Sequence, residues 1–149
     1  MTIAYIDFSR AFDSVSHEKL FVRMSDYGIQ GDALCWFKNF FTGRTHQTKV
    51  GCALSEFADL LSGVVQGSGI GPVMFLIFID GLAKLLEQSH ITVKLFADDV
   101  KLYLKITGTD DAKRLQLALD LIADWAQAWQ LSVSVGKCNI LTVGHLPFD

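Results

Sequence analysis

The sequence lacks the features that define several protein classes. Its three cysteines, Cys35, Cys52 and Cys138, are widely spaced and include no C-x-x-C pair, which argues against a disulfide framework or a zinc site. The longest apolar run, residues 72–79, is far shorter than the ~20 residues that span a bilayer. No basic segment followed by an apolar stretch opens the chain, so no secretory signal is expected and the sequence predicts an intracellular protein without membrane contact.

Charge is also scarce. Charged residues make up 19% of the chain, half of the residues are hydrophobic, and the net charge is -3. A disordered chain is excluded, and 149 residues are enough for one domain with a core. A free nucleic-acid binder is usually more basic, so composition by itself argues mildly against a nucleic-acid partner.

Apolar patterning predicts an α+β fold. We expect a buried strand over residues 2–8, a polar strand over 44–50, a strand–turn–strand unit over 91–106, and two short strands over 131–144. Helices are predicted over 16–28, 32–43, 70–88 and 110–130, with Ser16 as the N-cap of the first. No linker or repeat is visible. This order predicts a single domain, residues 1–149, with a small antiparallel sheet and helices packed on one face.

Three carboxylates attract attention because apolar segments lead into them. Asp7 ends the first strand, and Asp98 and Asp99 occupy the turn of the strand–turn–strand unit. If the two elements are neighbours in the sheet, these carboxylates repel each other until a cation such as Mg²⁺ neutralises them. The alternatives are a solvated turn and a helix-capping aspartate. The residues alone therefore indicate at most a metal site of unspecified use.

A glycine-rich loop, residues 62–72, precedes the long third helix. Gly67, Gly69 and Gly71 alternate, which matches neither the P-loop nor the G-x-G-x-x-G pattern. Such a loop lets the backbone approach a phosphate or a base closely, or it is a turn that feeds the helix. Both alternatives stay open at this point.

Four segments, in order, resemble successive motifs of reverse transcriptases of the non-LTR (LINE-like) retrotransposon type: AYIDFSRAFDSVSHEKL, SGVVQGSGIGPVMFLIFIDGL, LFADDVKLY and ADWAQAWQLSVSVGKCNIL. The resemblance covers nearly the whole chain. It implies a polymerase palm that holds two Mg²⁺ ions, with Mn²⁺ as a substitute. It further implies that deoxynucleotides are joined to the 3′-hydroxyl of a DNA primer on an RNA template.

The resemblance also implies the site residues. Asp7 and Asp98 would be the main metal ligands, Asp99 would complete the carboxylate cluster, and the carbonyl of Phe8 would be a further ligand. Phe12 matches the aromatic residue that leaves no room for a 2′-hydroxyl on the incoming nucleotide. An ordinary core position is the alternative for Phe12.

The remaining motif positions would contact the nucleotide or the nucleic acid. The implied set is Gln66, Gly67 and Lys137 at the incoming nucleotide, Gln66 and Ser68 near the template, and Arg10 and Arg44 at backbone phosphates. Surface solubility explains the two arginines equally well. His17 is interpreted as a structural residue at a helix start, and Trp125 and Trp129 as core packing.

The chain departs from the family pattern at Val65, Ser134, Asp80 and Gly81, and none of these positions is a metal ligand. The family's fingers and thumb are expected to lie outside the chain, in a longer polyprotein, and whether that polyprotein also carries an endonuclease stays open at this point. Absence of the basic clamp would explain the acidic balance. A catalytically silent remnant is the alternative, whereas an RNA-copying RNA polymerase is disfavoured by Phe12.

Overall fold

A four-stranded antiparallel sheet forms the centre of the computed structural model, which describes residues 1–144. In spatial order its strands are β10 (Asn139–Thr142), β1 (Thr2–Ile6), β8 (Asp99–Leu104) and β7 (Thr92–Phe96). Ile6 pairs with Val100 across β1 and β8, and Tyr5 pairs with Asn139 across β1 and β10. The strands that carry the predicted carboxylates, β1 and β8, are therefore neighbours.

The sheet has one buried face. Side chains alternate between faces along a strand, and Ala4, Ile6, Val100, Leu102 and Leu104 all point into the core. Helices α3 (Gly71–Glu87) and α4 (Thr109–Ala128) pack on this side. The predicted α+β layout, with helices on one face of a small antiparallel sheet, is confirmed.

Two further helices pack outside α3. Helix α1 (His17–Asp26) contacts α3, and α2 (Gly31–Phe41) contacts α1. Ser16 is the N-cap of α1 as expected, but its hydroxyl makes no capping hydrogen bond. The predicted N-cap position is confirmed. Ser16 instead lies in an isolated antiparallel bridge with Ser62, which ties the helix start to the loop before α3.

The predicted packing role of the tryptophans on α4 is confirmed. Trp125 is buried, and its ring stacks on Trp129 with centroids 5.6 Å apart. Trp129 is half-buried, and the guanidinium of Arg23 covers its ring at 4.7 Å. Phe78 of α3 meets both rings edge-on. These contacts join α1, α3 and α4.

The predicted strand over residues 44–50 is wrong in its extent. It consists of two separate two-residue strands, β3 (Thr45–His46), which pairs with β6 (Ala58–Asp59), and β4 (Lys49–Val50), which pairs with β5 (Ala53–Leu54). All four strands are exposed. Since no face of this segment is buried, no hydrophobic pattern extends it into one continuous strand.

The closing segment also differs from a simple strand pair. A two-residue ladder joins β2 (Phe8–Ser9) to β9 (Ser132–Val133), and a short 3-10 helix, Val135–Lys137, precedes β10. Lys137 therefore lies in a helical turn. None of the helices within residues 1–144 is long and apolar enough to cross a membrane.

Candidate active site

The sheet register places Asp7 opposite Asp99. Ile6 and Val100 form the last pair of the β1–β8 ladder, and Asp7 and Asp99 are the next residues in that register. Because Ile6 and Val100 point into the core, Asp7 and Asp99 point to the opposite, open face. Together with Lys137 they line one pocket of about 420 Å³. The structure thus brings together two of the three predicted carboxylates and the predicted lysine.

Asp98 occupies a different position from Asp99. Phe96 pairs with Asp99, which leaves Ala97 and Asp98 as the two turn residues of the β7–β8 hairpin. Ala97 has a φ of 53°, in the left-handed region that most residues avoid. Asp98 is half-buried and does not line the pocket that holds Asp7. Its role as a main metal ligand stays a prediction, and the register favours Asp99 as the partner of Asp7.

Asp7 is fixed by its backbone and left open at its side chain. Its carbonyl accepts a hydrogen bond of 2.8 Å from the backbone N–H of Ser134. Lys137 Nζ lies 3.4 Å from Asp7 Oδ1, close enough for attraction, yet Oδ1 is buried and receives no hydrogen bond from the described residues. A buried carboxylate oxygen without a donor is costly, so it is suited to a cation.

Carboxylate chemistry and geometry fit a divalent cation only in part. Within residues 1–144, no group of three or more His, Cys, Asp or Glu side chains is arranged to hold a metal. Mg²⁺ commonly takes one or two protein carboxylates and completes its shell with water and substrate phosphates. Asp7 and Asp99 fit that pattern, in which the substrate supplies the missing ligands.

Phe8 lies next to this pair. Its side chain is buried against Trp125, with ring centroids 6.4 Å apart, and its backbone pairs with Val133. These contacts hold the backbone after Asp7 in an extended course. A carbonyl ligand from Phe8 stays a prediction.

Phe12 combines packing with partial exposure. Its half-buried ring stacks on Phe75 of α3, with centroids 4.2 Å apart and planes at 17°. Its carbonyl accepts a 2.8 Å hydrogen bond from the N–H of Val64. The ring is thus held rigidly between the first motif and the glycine-rich loop. Its role under the nucleotide sugar stays a prediction.

The glycine-rich loop is anchored to the first motif at Gly63. A Cβ at this position would lie 2.8 Å from the carbonyl oxygen of Asp13, and the φ of Gly63 is +89°. His17 Nε2 hydrogen-bonds to the Gly63 carbonyl at 2.7 Å. The interpretation of His17 as a structural residue is confirmed.

Farther along the loop, the side chains of Gln66 and Ser68, which are predicted to contact nucleotide or template, form hydrogen bonds within the protein. Gln66 Nε2 donates to Asp13 Oδ1 at 3.1 Å. Ser68 Oγ donates to the Val65 carbonyl at 2.6 Å and accepts from the N–H of Gly71, the first residue of α3, at 3.1 Å. Gly67 between them has a φ of +78° and space around it. Their contacts to nucleotide and template stay predictions.

A second, larger concavity of about 700 Å³ lies beside this loop, and we call it the ribbon groove. Arg10, Arg44 and Gln66, three of the predicted nucleic-acid residues, all line it. Of the predicted residues, Asp7, Asp99 and Lys137 line the carboxylate pocket, whereas Arg10, Arg44 and Gln66 line the ribbon groove. The others line neither: Phe8, Phe12, Gly67, Ser68 and Asp98. Asp13 and His46 also line the groove and were missed. Asp13 follows Phe12 in the first motif, whereas His46 lies in an exposed polar segment without a motif signal.

The departures at Asp80 and Gly81 have a structural explanation. The guanidinium of Arg23 occupies the space where a Cβ of residue 81 would stand. Asp80 accepts hydrogen bonds from Lys84, with Nζ at 2.7 Å, and from the Tyr27 hydroxyl. The hydrogen bond from Lys84 is the larger cause and that from Tyr27 the smaller one, and together they hold the pKa of Asp80 below its usual range. None of these residues lines the carboxylate pocket.

Comparison with known proteins gives concordant results. The profile of the family described as "Reverse transcriptase (RNA-dependent DNA polymerase)" matches residues 1–147. The chain is 28% identical over 144 residues to the RNA-directed DNA polymerase from mobile element jockey of Drosophila funebris, covering 93% of this chain and 16% of that protein. It is 30% identical over 152 residues to the Pol polyprotein from the type-2 retrotransposable element R2DM of Drosophila melanogaster, covering 95% of this chain and 14% of that protein.

Solved structures agree on the fold. Apo telomerase from Candida tropicalis superposes with a TM-score of 0.71 at 12% identity, over 97% of this chain and 31% of that one. Telomerase from Candida albicans gives 0.72 at 11% identity, over 97% and 28%. The chain spans about one sixth of the length of the curated relatives that it matches. The ordered motifs, the α+β fold and the profile match over residues 1–147 show that this chain belongs to the reverse transcriptase family, as a palm portion of the LINE-like type.

Proposed function

We propose that this chain is the palm of an RNA-directed DNA polymerase that joins deoxynucleotides to a primer 3′-hydroxyl on an RNA template. The observation that carries the proposal is that Asp7 and Asp99, which follow the last Ile6–Val100 pair in the register, line one pocket. Asp7 Oδ1 is buried there and receives no hydrogen bond from the described residues. The family membership restricts which chemistry such a pair performs. RNA template, DNA primer and deoxynucleotide are the proposed partners.

In the proposed reaction, the primer 3′-oxygen attacks the α-phosphorus of the nucleotide. A new phosphodiester bond forms, the bond to the bridging oxygen breaks, pyrophosphate leaves, and the hydroxyl proton is released. A bound divalent cation neutralises charge and lowers the pKa of the attacking hydroxyl. Two ions are proposed, as in other nucleotidyl transfers of this kind.

The chain's own residues supply positions and charge. Asp7, Asp98 and Asp99 would hold the cation, with the Phe8 carbonyl as a further proposed ligand. Lys137 lines the same pocket, and we propose that it attracts the triphosphate and protonates the leaving pyrophosphate. Phe12 packs rigidly against Phe75 and is proposed to exclude a 2′-hydroxyl.

Fingers, thumb and endonuclease are proposed to belong to a longer polypeptide. The chain covers 16% of the jockey polymerase of Drosophila funebris and 31% of the Candida tropicalis telomerase chain. Net charge of -3 agrees with a carboxylate-rich centre whose basic clamp is supplied by other segments.

Primer extension on an RNA template tests the proposal. Wild-type chain, Asp7→Asn, Asp98→Asn and Asp99→Asn are compared in Mg²⁺ and Mn²⁺, with Asp124→Asn on the exposed side of α4 as the matched control. Asp7→Asn and Asp99→Asn are expected to lower the rate by about 100-fold or more, because charge at the reacting phosphate is no longer neutralised. Asp124→Asn is expected to match the wild type.

Two results would contradict the proposal. If the Asp7→Asn variant extends the primer at the wild-type rate, the assignment of the active site to Asp7 is wrong. Electron paramagnetic resonance tests whether the wild-type chain binds Mn²⁺ through Asp7. If it does, and if the chain still incorporates no nucleotide when fingers and thumb segments of a relative are supplied, the chain is a silent remnant.

A further inference from the structure

The outer edge of β10 is the less protected border of the central sheet. Strands β10 and β7 are the two edges, since β1 and β8 lie between them. β7 carries the exposed Lys94 at its centre, and a charged residue in that place discourages another strand from pairing. β10 has the sequence NILT, without charge or proline, and all four of its residues are exposed. Of the two edges within residues 1–144, β10 is therefore the one suited to receive a strand.

The backbone of β10 offers hydrogen-bonding groups on its outer side. The Val143 N–H donates to the Met1 carbonyl at 2.8 Å, and the amino group of Met1 donates to the Val143 carbonyl at 2.9 Å. Such paired bonds recur at every second residue of an antiparallel ladder, so the backbone of Leu141 also faces β1. Ile140 and Thr142 therefore direct their N–H and C=O groups away from β1, where no other strand of the described residues pairs with them.

The side chains at this edge are apolar on both faces of the sheet. Ile140 is 64% exposed and lines a small cavity of about 220 Å³ between the sheet and α4. Leu141 points to the opposite face, is 48% exposed and lines the carboxylate pocket. Val143, just past the end of β10, is also exposed. A strand added here covers apolar surface on both faces in addition to making backbone hydrogen bonds.

We propose that β10 pairs with β10 of a second copy of this chain, so that two copies share one continuous antiparallel sheet. The outward-facing Ile140 and Thr142 stand symmetrically about Leu141, which makes the edge complementary to itself. A two-fold axis at Leu141, perpendicular to the sheet, pairs Ile140 of each copy with Thr142 of the other, and each pair exchanges both of its backbone hydrogen bonds. The two Leu141 side chains then meet on the open face, with Cα atoms about 4.5 Å apart.

Symmetry and charge favour a second copy over an unlike partner. The same edge supplies both halves of the interface, and residues 139–143 include no charge that would oppose its own counterpart. The contact closes at two copies, because the opposite edge of the sheet carries Lys94 and resists pairing. A four-residue edge buries less than the ~800 Å² per partner of a standard interface, so the dimer is expected to be weak and to form at high micromolar concentration.

The dimer extends the wall of the carboxylate pocket. Asn139 and Leu141 line that pocket, and in the proposed register Asn139 lies opposite Val143 of the second copy. The second copy therefore adds apolar side chains beside the pocket that holds Asp7 and Asp99. Pairing of this edge requires neither metal nor nucleotide, so it is independent of the proposed polymerase function.

Sedimentation velocity in EDTA over a range of micromolar concentrations tests this dimer. The wild type is expected to pass from monomer to dimer as its concentration rises, with no larger species. Leu141→Lys is expected to weaken dimerisation about tenfold or more, because two like charges then face each other at the axis. Leu141→Glu alone is expected to do the same. An equimolar mixture of the two variants is expected to dimerise again, because opposite charges then meet.

A matched control and a measurement without substitutions keep the result interpretable. Leu117→Lys adds the same charge at an exposed position of α4, away from the edge, and is expected to dimerise as the wild type does. At the concentration where half of the wild-type chains are dimers, hydrogen exchange of the Ile140 and Thr142 N–H groups is expected to slow about twofold. The Leu141 N–H, which already faces β1, is expected to change less. This exchange measurement decides the question if either charged variant fails to fold.

Three results would each overturn the proposed dimer: a wild type that stays monomeric up to millimolar concentration, an equal loss in Leu141→Lys and Leu117→Lys, or a mixture of folded Leu141→Lys and Leu141→Glu that remains monomeric. The first result would leave the edge to a different polypeptide. None of them bears on primer extension, which is tested through Asp7. Conversely, extension that is indifferent to Asp7 would remove the proposed function and leave the dimer as it is.

Discussion

Lys137 Nζ lies 3.4 Å from Asp7 Oδ1, where the 3-10 helix Val135–Lys137 ends beside the end of β1. The Lys137 side chain is 68% exposed, whereas the Asp7 side chain is 28% exposed. Lys137 therefore partly compensates the charge of Asp7 without satisfying its buried oxygen. The divalent cation proposed at Asp7 would compete with the ammonium of Lys137 for the same oxygen atom.

Removing this competitor is expected to strengthen metal binding. We predict that Lys137→Gln raises the affinity for Mn²⁺ by about two- to fivefold, since exposed ion pairs contribute about 0.2–1 kcal/mol. Electron paramagnetic resonance of free Mn²⁺ measures the change, with Lys105→Gln as the control for lost charge. A weaker affinity in Lys137→Gln would show that the lysine supports the site instead of competing for it.

Phe12 is expected to control sugar selection. Phe12→Val is predicted to raise ribonucleotide incorporation relative to deoxynucleotide by about tenfold or more, because the smaller side chain makes room for a 2′-hydroxyl. The ratio of kcat/KM for the two nucleotides in primer extension is the measurement. Phe75→Leu, which shortens the stacking partner in the core, is the control for altered packing. An equal shift in both variants would assign Phe12 to packing alone.

Position 63 requires glycine, because of its positive φ and because of the nearby backbone of Asp13. Gly63→Ala is predicted to lower the free energy of unfolding by about 1–3 kcal/mol, because its φ of +89° is unfavourable for alanine and the new Cβ meets the Asp13 carbonyl at 2.8 Å. Urea unfolding measures this. Gly136→Ala, with no atom within 4 Å of its Cβ, is the control. Equal stability of the two variants would contradict the prediction.

The Asp80 cluster predicts a pH dependence of stability. Hydrogen bonds from Lys84 and Tyr27 keep the pKa of Asp80 below its unfolded value of 3.8. A depressed folded pKa adds stability above pH 3.8, and this stability is lost as the pH falls through the folded pKa. Because the side chain is 38% exposed, Asp80→Asn should cost less than about 1 kcal/mol at pH 7.

Urea unfolding of the Asp80→Asn variant and the wild type at pH 7, 5 and 3 measures this effect. The difference in unfolding free energy between them is expected to shrink below pH 3.8, whereas Asp124→Asn, an exposed carboxylate on α4, is expected to show no such trend. A difference that stays constant down to pH 3 would show that Asp80 stabilises the fold by packing, not by charge.

Much of the fold follows from apolar periodicity. The predicted helix over 70–88 is Gly71–Glu87, and the predicted helix over 110–130 is Thr109–Ala128. Their buried stripes are long enough to identify from sequence. The prediction of one continuous strand over 44–50 was wrong. The strand residues of this segment are exposed, so no periodic burial signal distinguishes one continuous strand from two short ones.

The site was predictable in its residue types and only partly in its geometry. Ordered motifs named Asp7, Asp98, Asp99 and Lys137, and three of them line one pocket. Which aspartate faces Asp7 depends on which two residues form the turn of the β7–β8 hairpin. Because Phe96 pairs with Asp99, the turn is formed by residues 97 and 98, and Asp99 is the residue in register with Asp7. That choice is set by packing of Val100 and Leu102 into the core, since shifting the register would expose them.

The sequence by itself determined the family, the two helices that cover the sheet, and the carboxylates at the strand ends, because each leaves a local pattern in the chain. Only the tertiary structure decided that Asp99 lies opposite Asp7, that Lys137 reaches Asp7, and that Arg10, Arg44 and His46 line one groove. Those relationships join residues far apart in sequence. They arise from the register of the sheet and from how the exposed ribbon folds back, neither of which leaves a local signal.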